Sequence, residues 1–209
     1  IEGLKEIHKQ ELRAKQRLME NHLESIAAIE EDYEDALQMI DEFVAERGGG
    51  FLMSGMVDEE FIDTPIADIL PVTIVEENFL PGHLRGGIRR GDHPTAELFY
   101  PRLTNNGEFS PLLRLSGEDS LNENFWRQLP ELQGVYVTGR IKPGATVLLE
   151  HPVLQYQNQP LPIVAQQRYG SGRSVSVTTA STWRWQMMMH SEDQSHETIW
   201  RQLLRWLAV

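Results

Sequence analysis

The candidate functional residues of this chain include histidines, arginines, a serine and a pair of tryptophans, whereas its 209 residues include no cysteine. That absence excludes disulfides, zinc–thiolate sites, iron–sulfur ligation and any thiolate nucleophile. The histidines show no His-x3-His spacing, and no aspartate-rich loop accompanies them. We therefore predict neither a metal site nor a cofactor. The seven histidines are His8, His22, His83, His93, His151, His190 and His196.

A loop rich in glycine, proline, arginine and histidine is predicted over residues 78–95. Its basic side chains together could bind an anion. A solvated loop is the favoured interpretation, because the local glycines lack the context of a phosphate-binding turn. The basic side chains are His83, Arg85, Arg89, Arg90 and His93.

Trp183-Arg184-Trp185 is the richest local signal in the sequence. In a strand, alternation would place both tryptophans on one face and Arg184 on the other. Core packing against Trp200 and Trp206 is the favoured interpretation, because each buried indole removes about 150–250 Å² of surface from water. The alternative is a binding surface for a ligand or partner, since tryptophan and arginine are enriched at binding hot spots.

The negative charge of the chain is concentrated in its first third. The net charge is −12, and residues 1–60 hold 6 basic and 16 acidic side chains, against 13 and 15 in the remainder. Such a chain is poorly suited to neutralising phosphates, so we expect no nucleic-acid partner. No apolar run approaches the ~20 residues that cross a bilayer, so we expect a soluble segment without direct membrane insertion.

Residues 1–30 predict a charged helix, because they contain no proline and many good helix formers. Their apolar residues do not hold one heptad register, which indicates a ragged stripe rather than a committed coiled coil. We predict a helical extension or stalk over 1–30 and one domain over 31–209. If the helix stands apart from the domain, a neighbouring chain should bury the stripe, giving a homodimer through residues 1–30.

An amphipathic helix is predicted next, with one buried face from Tyr33 to Val44 and a stop at Gly48-Gly49-Gly50. A buried strand at 51–53 follows, and this order is typical of a parallel αβ unit. A turn at 169–172 predicts a hairpin, so the later strands should be antiparallel. Further strands are predicted at 72–75, 135–138, 146–149, 161–165 and 173–178, and further helices at 66–70, 122–129 and from Ile199 to the end.

Six segments carry a family resemblance: 43–53, 63–71, 142–145, 168–173, 181–185 and 200–207. The order of these segments along the chain is as specific as their individual sequences, and Trp183-Arg184-Trp185 is the most distinctive motif among them. The set resembles the class I glutamine amidotransferase-like domain, in a branch found in bacterial multidomain proteins. The resemblance implies an α/β three-layer sandwich of flavodoxin-like type, with a mostly parallel sheet and an antiparallel later part. Such a sheet normally opens with a strand, so we expect opening strands upstream of residue 1 or a stretch missing near residues 29–32.

The resemblance also implies where catalysis would lie. Active members carry a cysteine on a strained turn after the strand that follows such a helix, and a histidine and a glutamate complete the triad. Gly55, or Ser54 beside it, takes the nucleophile position here. His190-Ser191-Glu192 copies the histidine–x–glutamate pair, but the family places that pair near Ser181-Thr182. We therefore interpret the copy as fortuitous.

We expect a glutamine amidotransferase-like domain without catalysis, serving as a binding or scaffolding module of a larger protein. Its partners would be a protein or the adjacent domains. The alternative is a hydrolase that uses Ser54, or a carboxylate and histidine site at the carboxyl edge of the sheet. The enzyme interpretation needs a base within hydrogen-bonding distance of the nucleophile, in an open pocket. This family branch often occurs beside membrane-spanning segments, so the resemblance allows a membrane-anchored parent protein.

Overall fold

One helix of 44 residues, α1 (Glu2–Ala45), begins the computed structural model, which describes residues 2–56, 58–85 and 94–208. The sequence predicts two helices here, but no proline or glycine occurs between Gly3 and Gly48 to interrupt the first. Two compact units are present, Ile1–Ile40 and Asp41–Val209. Their division falls inside α1, as does the predicted boundary between residues 30 and 31.

The predicted apolar face at the end of α1 is only partly buried. Leu37 and Val44 are buried, whereas Tyr33 and Phe43 are about half exposed. The helix stops near the predicted glycines: Gly48 has a left-handed φ of +76°, and the N–H of Gly49 donates to the carbonyl of Phe43 at 2.8 Å.

Residues 41–208 form an α/β unit around a mixed sheet. The strands are β1 (Gly50–Ser54), β2 (Leu98–Phe99), β3 (Arg102–Leu103), β4 (Leu132–Gln133), β5 (Thr146–Tyr156), β6 (Gln159–Tyr169) and β7 (Gly172–Val177). The shorter helices are α2 (Pro65–Ile69), α3 (Asn105–Glu108), α4 (Asp119–Gln128), α5 (Arg184–Met187) and α6 (Ser195–Leu207). The main sheet has the order β1-β7-β6-β5-β3, and β2 pairs with β4 separately.

The direction of the strands corrects one expectation. β1 pairs with β7 in parallel, while β7–β6, β6–β5 and β5–β3 are antiparallel. The antiparallel later part is confirmed. The parallel part is confined, among the described strands, to the β1–β7 pair, because tight hairpins join the long strands β5, β6 and β7.

Two of the predicted strands are wrong. Residues 72–75 form only an isolated bridge, Val72 with Ile141, and residues 135–138 lie outside the strands. Both segments have the apolar composition of a strand, but no neighbouring strand runs along them. The N–H of Tyr136, for example, donates singly to the carbonyl of Thr178 at 2.8 Å.

Helices lie on both faces of the sheet. On one face, the guanidinium of Arg173 stacks over the Trp206 ring of α6 at 5.4 Å and donates to the Trp206 carbonyl at 2.6 Å. On the other face, Gln167 donates to the carbonyl of Ile69 in α2 at 2.7 Å. Gln167 pairs with Ser174, the neighbour of Arg173 in β7, so the two contacts point to opposite sides. The sheet is thus held between helices, and its later strands carry the core.

Candidate functional site

The carboxyl ends of β1 and β7 lie side by side, because these parallel strands pair with Ser54 opposite Val177. The N–H of Gly55 extends the pairing by donating to the carbonyl of Val177 at 2.8 Å. Ligands of open α/β sheets bind at this edge. The following residues are termed the strand-end site: Ser54, Gly55, Tyr136, Thr178 and Thr179.

Gly55 forms the turn at the strand-end site. It is buried, and its φ of +92° lies in the region that side-chain-bearing residues rarely adopt. A Cβ added there would lie 3.6 Å from the Tyr136 ring, which is an ordinary contact. The turn therefore has a left-handed backbone that would strain a residue with a side chain, and glycine adopts it without that cost.

Ser54 is exposed at the same edge, and its hydroxyl forms no hydrogen bond with the residues that the structure describes. Two histidines are engaged elsewhere. His151 Nδ1 accepts the N–H of Leu154 at 2.9 Å, and His196 Nδ1 lies 3.1 Å from Gln186 Oε1. Within the described ranges, the structure therefore brings no base to Ser54.

A buried cluster of hydroxyls follows β7, where the resemblance places the acid–base pair. Thr179 Oγ1 donates to the carbonyl of Gly134 at 2.7 Å, and Ser181 Oγ accepts the N–H of Gln133 at 2.8 Å. Thr178 Oγ1 donates to a backbone carbonyl of β6. These hydroxyls form hydrogen bonds that link neighbouring backbone segments to the sheet, so they are poorly placed for proton transfer. Neither threonine is predicted as a site residue from the sequence, because threonine at the end of a strand has no distinguishing spacing.

The cavity beside the strand-end site is small. Its volume is about 20 Å³, and its walls include Met56, Tyr136 and Thr138. A space of this size holds about one water molecule, whereas ligand pockets typically measure about 300–1,000 Å³. The described residues thus leave no room for an amino-acid substrate in this cavity.

Two other candidates from the sequence lie away from this edge. His190 is in an exposed turn between α5 and α6, with its Nδ1 3.5 Å from the backbone nitrogen of Glu192. Of the predicted loop over residues 78–95, residues 86–93 lie outside the described residues. Arg85 in that loop donates to the carbonyl of Asn78 at 2.7 Å, so its guanidinium holds the loop backbone.

Trp183-Arg184-Trp185 forms a helical turn rather than a strand, since α5 begins at Arg184. The predicted placement of both tryptophans on one face is therefore wrong, because helical residues two apart point about 200° apart. Trp183 is 51% exposed and Trp185 only 2%. Each of the two interpretations therefore applies to one tryptophan: Trp185 is packed in the core, and Trp183 lies on the surface.

Trp185 occupies the core through different partners from those predicted. Its ring meets the ring of Trp126 edge to face, with centroids 5.6 Å apart. Its Nε1 donates to the carbonyl of Pro130 at 2.9 Å. Trp126, in α4, thus takes the place expected for Trp200 and Trp206, which are partly buried on α6.

Exposed apolar side chains collect around α5 and α6. The Arg184 guanidinium lies over the Trp183 ring at 5.8 Å and donates to the carbonyl of Glu131 at 2.7 Å, which steadies the exposed indole. An open groove of about 630 Å³ runs from α5 to α6, and burial lowers the pKa of His196, which lines it. The following residues, of which Trp200 is half-buried and the others are exposed, are termed the α5–α6 surface: Trp183, Met187, Met188, Trp200 and Leu204.

A second cleft, of about 340 Å³, lies between α4 and residues 100–103. Its two arginines are ion-paired: Arg102 with Glu150 at 2.5 Å, and Arg127 with Glu123 at 2.6 Å. The charges of these pairs balance, so the cleft shows no preference for an anion.

Neither a metal site nor a membrane-spanning helix is found in the described part of the chain. No three histidine, aspartate or glutamate side chains there are grouped closely enough to hold a metal ion. None of the helices is long and apolar enough to cross a bilayer.

Comparison with known proteins identifies a shared fold. No protein-family model and no curated protein matches the sequence. Cytoplasmic protein STM1381 from Salmonella typhimurium LT2 is similar in structure, with a TM-score of 0.54 and 19% identity over 84% of this chain and 61% of that one. Cytoplasmic protein STM3548 from Salmonella typhimurium gives a TM-score of 0.52 and 16% identity over 83% and 60%. The chain thus spans about three fifths of the length of either protein, and such low identity shows the fold alone.

Proposed function

We propose that residues 31–209 are a class I glutamine amidotransferase-like domain, a three-layer sandwich of flavodoxin-like type, that has no catalytic activity and serves as a binding or scaffolding module. One observation carries the proposal. The turn at the end of β1 has a left-handed backbone, with φ +92° at Gly55, as expected for the turn that holds the nucleophile in active members, and the residue on it is a glycine without a side chain.

The surroundings of Gly55 support the absence of catalysis. The hydroxyls of Thr179 and Ser181 form hydrogen bonds with backbone groups. The adjoining cavity of about 20 Å³ is too small for glutamine. The alternative, a hydrolase that uses Ser54, needs a base that the described residues do not supply.

The α5–α6 surface supports the binding half of the proposal. An indole on the protein surface beside a fixed guanidinium is typical of the residues that dominate protein interfaces. Exposed methionines add an adaptable apolar surface, because their unbranched side chains fit many shapes. Trp183, Met187 and Met188 supply these groups, and the partner we propose is another protein or an adjacent domain of the parent protein.

Selection of peptides from a random phage-displayed library on the immobilised full chain tests this binding role. We expect enriched peptides whose affinity falls at least about tenfold in Trp183→Ala, which corresponds to about 1.4 kcal/mol. Tyr100→Ala is the matched control, because Tyr100 is 57% exposed and lies outside the α5–α6 surface. Failure to enrich any peptide, or equal losses in the two variants by calorimetry, would contradict the proposal.

A further inference from the structure

The continuous helix α1 carries a regular apolar stripe over residues 12–33, which corrects the expectation of a ragged stripe over residues 1–30. Positions separated alternately by four and three residues fall on one face of a helix, which is the a/d pattern of a coiled coil. Five of the seven positions between residues 12 and 33 are apolar, and two are polar. The positions are Leu12, Gln16, Met19, Leu23, Ile26, Glu30 and Tyr33.

The apolar members of this stripe are exposed. Their exposed fractions are 53% for Leu12, 67% for Met19, 58% for Leu23, 38% for Ile26 and 48% for Tyr33. A row of large apolar side chains in water is unusual, and it marks an interaction surface. Burial against a second helix would remove the row from water.

The charge along α1 is divided into two blocks. Residues 12–17 hold three basic side chains and no acidic one, whereas residues 18–40 hold seven acidic side chains and no basic one. A parallel pair of these helices would set one acidic block beside the other. An antiparallel pair sets the basic block of each copy beside the acidic block of the other, which favours that arrangement and opposes the parallel one.

We propose that a second copy of this chain packs antiparallel along the stripe, with the centre of the pair between Glu24 and Ser25. In this register, Leu23 of each copy faces Ile26 of the second copy, and Gln16 faces Tyr33. Arg13 then lies near Glu34 of the second copy, because both residues occupy e positions beside the stripe. The contact of Leu23 with Ile26 thus forms an apolar centre, and opposite charges flank the pair.

Light scattering on the full chain tests the dimer. We expect a mass twice that of the 24.0 kDa chain. Leu23→Glu should give a monomer, because it places a charge at the centre of the stripe. Leu18→Glu should stay dimeric, because Leu18 is equally apolar and 69% exposed but lies off the stripe. A monomeric wild type, or equal dissociation in both variants, would overturn the proposal.

Disulfide cross-linking tests the orientation, since the natural chain has no cysteine to interfere. A disulfide needs Cα atoms about 4.4–6.8 Å apart. Gln16→Cys and Tyr33→Cys are oxidised separately and as a mixture. We expect cross-linked dimer in the mixture and little in either variant alone. Cross-linking of each variant with itself, without a gain on mixing, would mean a parallel pair and would overturn the proposal.

Discussion

Trp185→Ala is expected to lower the free energy of unfolding by about 3–5 kcal/mol. Trp185 is 2% exposed, so truncation leaves a cavity beside the edge-to-face ring of Trp126. It also leaves the Pro130 carbonyl without the indole N–H that donates to it at 2.9 Å. Urea denaturation followed by far-ultraviolet circular dichroism measures the change, because this signal does not depend on the removed fluorophore.

Trp183→Ala is the matched control, because it removes the same side chain two residues away. Its ring is 51% exposed and contacts the Arg184 guanidinium at 5.8 Å, so we expect a loss below about 1 kcal/mol. Trp185→Phe should fall between the two, because it keeps most of the apolar volume and loses the hydrogen bond. A larger loss in Trp183→Ala than in Trp185→Ala would contradict the division of this segment into core and surface.

His151 is expected to make the fold sensitive to acid. The side chain is 5% exposed and stacks on Phe99, with ring centroids 4.3 Å apart. Burial lowers the pKa of His151 to about 4 from its usual 6.5, and Nδ1 accepts the N–H groups of Val153 and Leu154. The neutral ring is therefore the stable form in the folded chain, and protonation would cost both hydrogen bonds.

The sign of the pH dependence follows from this lowered pKa. The contribution of His151 is complete above pH 6.5 and is lost as the pH falls through 6.5 towards about 4. One pKa unit corresponds to about 1.4 kcal/mol, so the full loss is about 3 kcal/mol. The stability difference between wild type and His151→Phe should shrink by about this amount between pH 7 and pH 4.

His190→Gln is the control for the acid experiment, because His190 is exposed in a turn. Replacing this exposed side chain removes no buried contact, so its stability difference from wild type should stay nearly constant over the same range. A difference for His151→Phe that does not change with pH would show that His151 has the same pKa in the folded and the unfolded chain, and would contradict the lowering of its pKa by burial.

Local sequence signals predicted the elements that depend mainly on local contacts. The turn at Gly170, which has a φ of +57°, joins β6 and β7 as expected. The broad apolar face around Ile199 and Leu203 predicted α6, and both residues are buried. These elements need only a hairpin turn or an amphipathic period, and both can be read from neighbouring residues.

Other features depend on distant partners, and the sequence did not indicate them. Residues 135–138 have a strand-like composition, yet Tyr136 pairs singly with Thr178 far along the chain. Trp185 meets Trp126 because α4 and α5 come together in the fold. The same difference applies to the residues of the strand-end site. The family resemblance indicated Ser54 and Gly55, whereas the backbone contact of Thr179 depends on tertiary structure and could not be predicted.

The release of ammonia from glutamine by the purified full chain tests the proposed loss of catalysis most directly. A chain with glycine on the turn after β1 and no base beside Ser54 should release ammonia at the rate of the buffer alone. Ser54→Ala should behave identically, while an active glutaminase in the same assay confirms that the reagents detect turnover. Release above the buffer rate by the wild-type chain would contradict the proposal, and its disappearance in Ser54→Ala would identify Ser54 as the nucleophile.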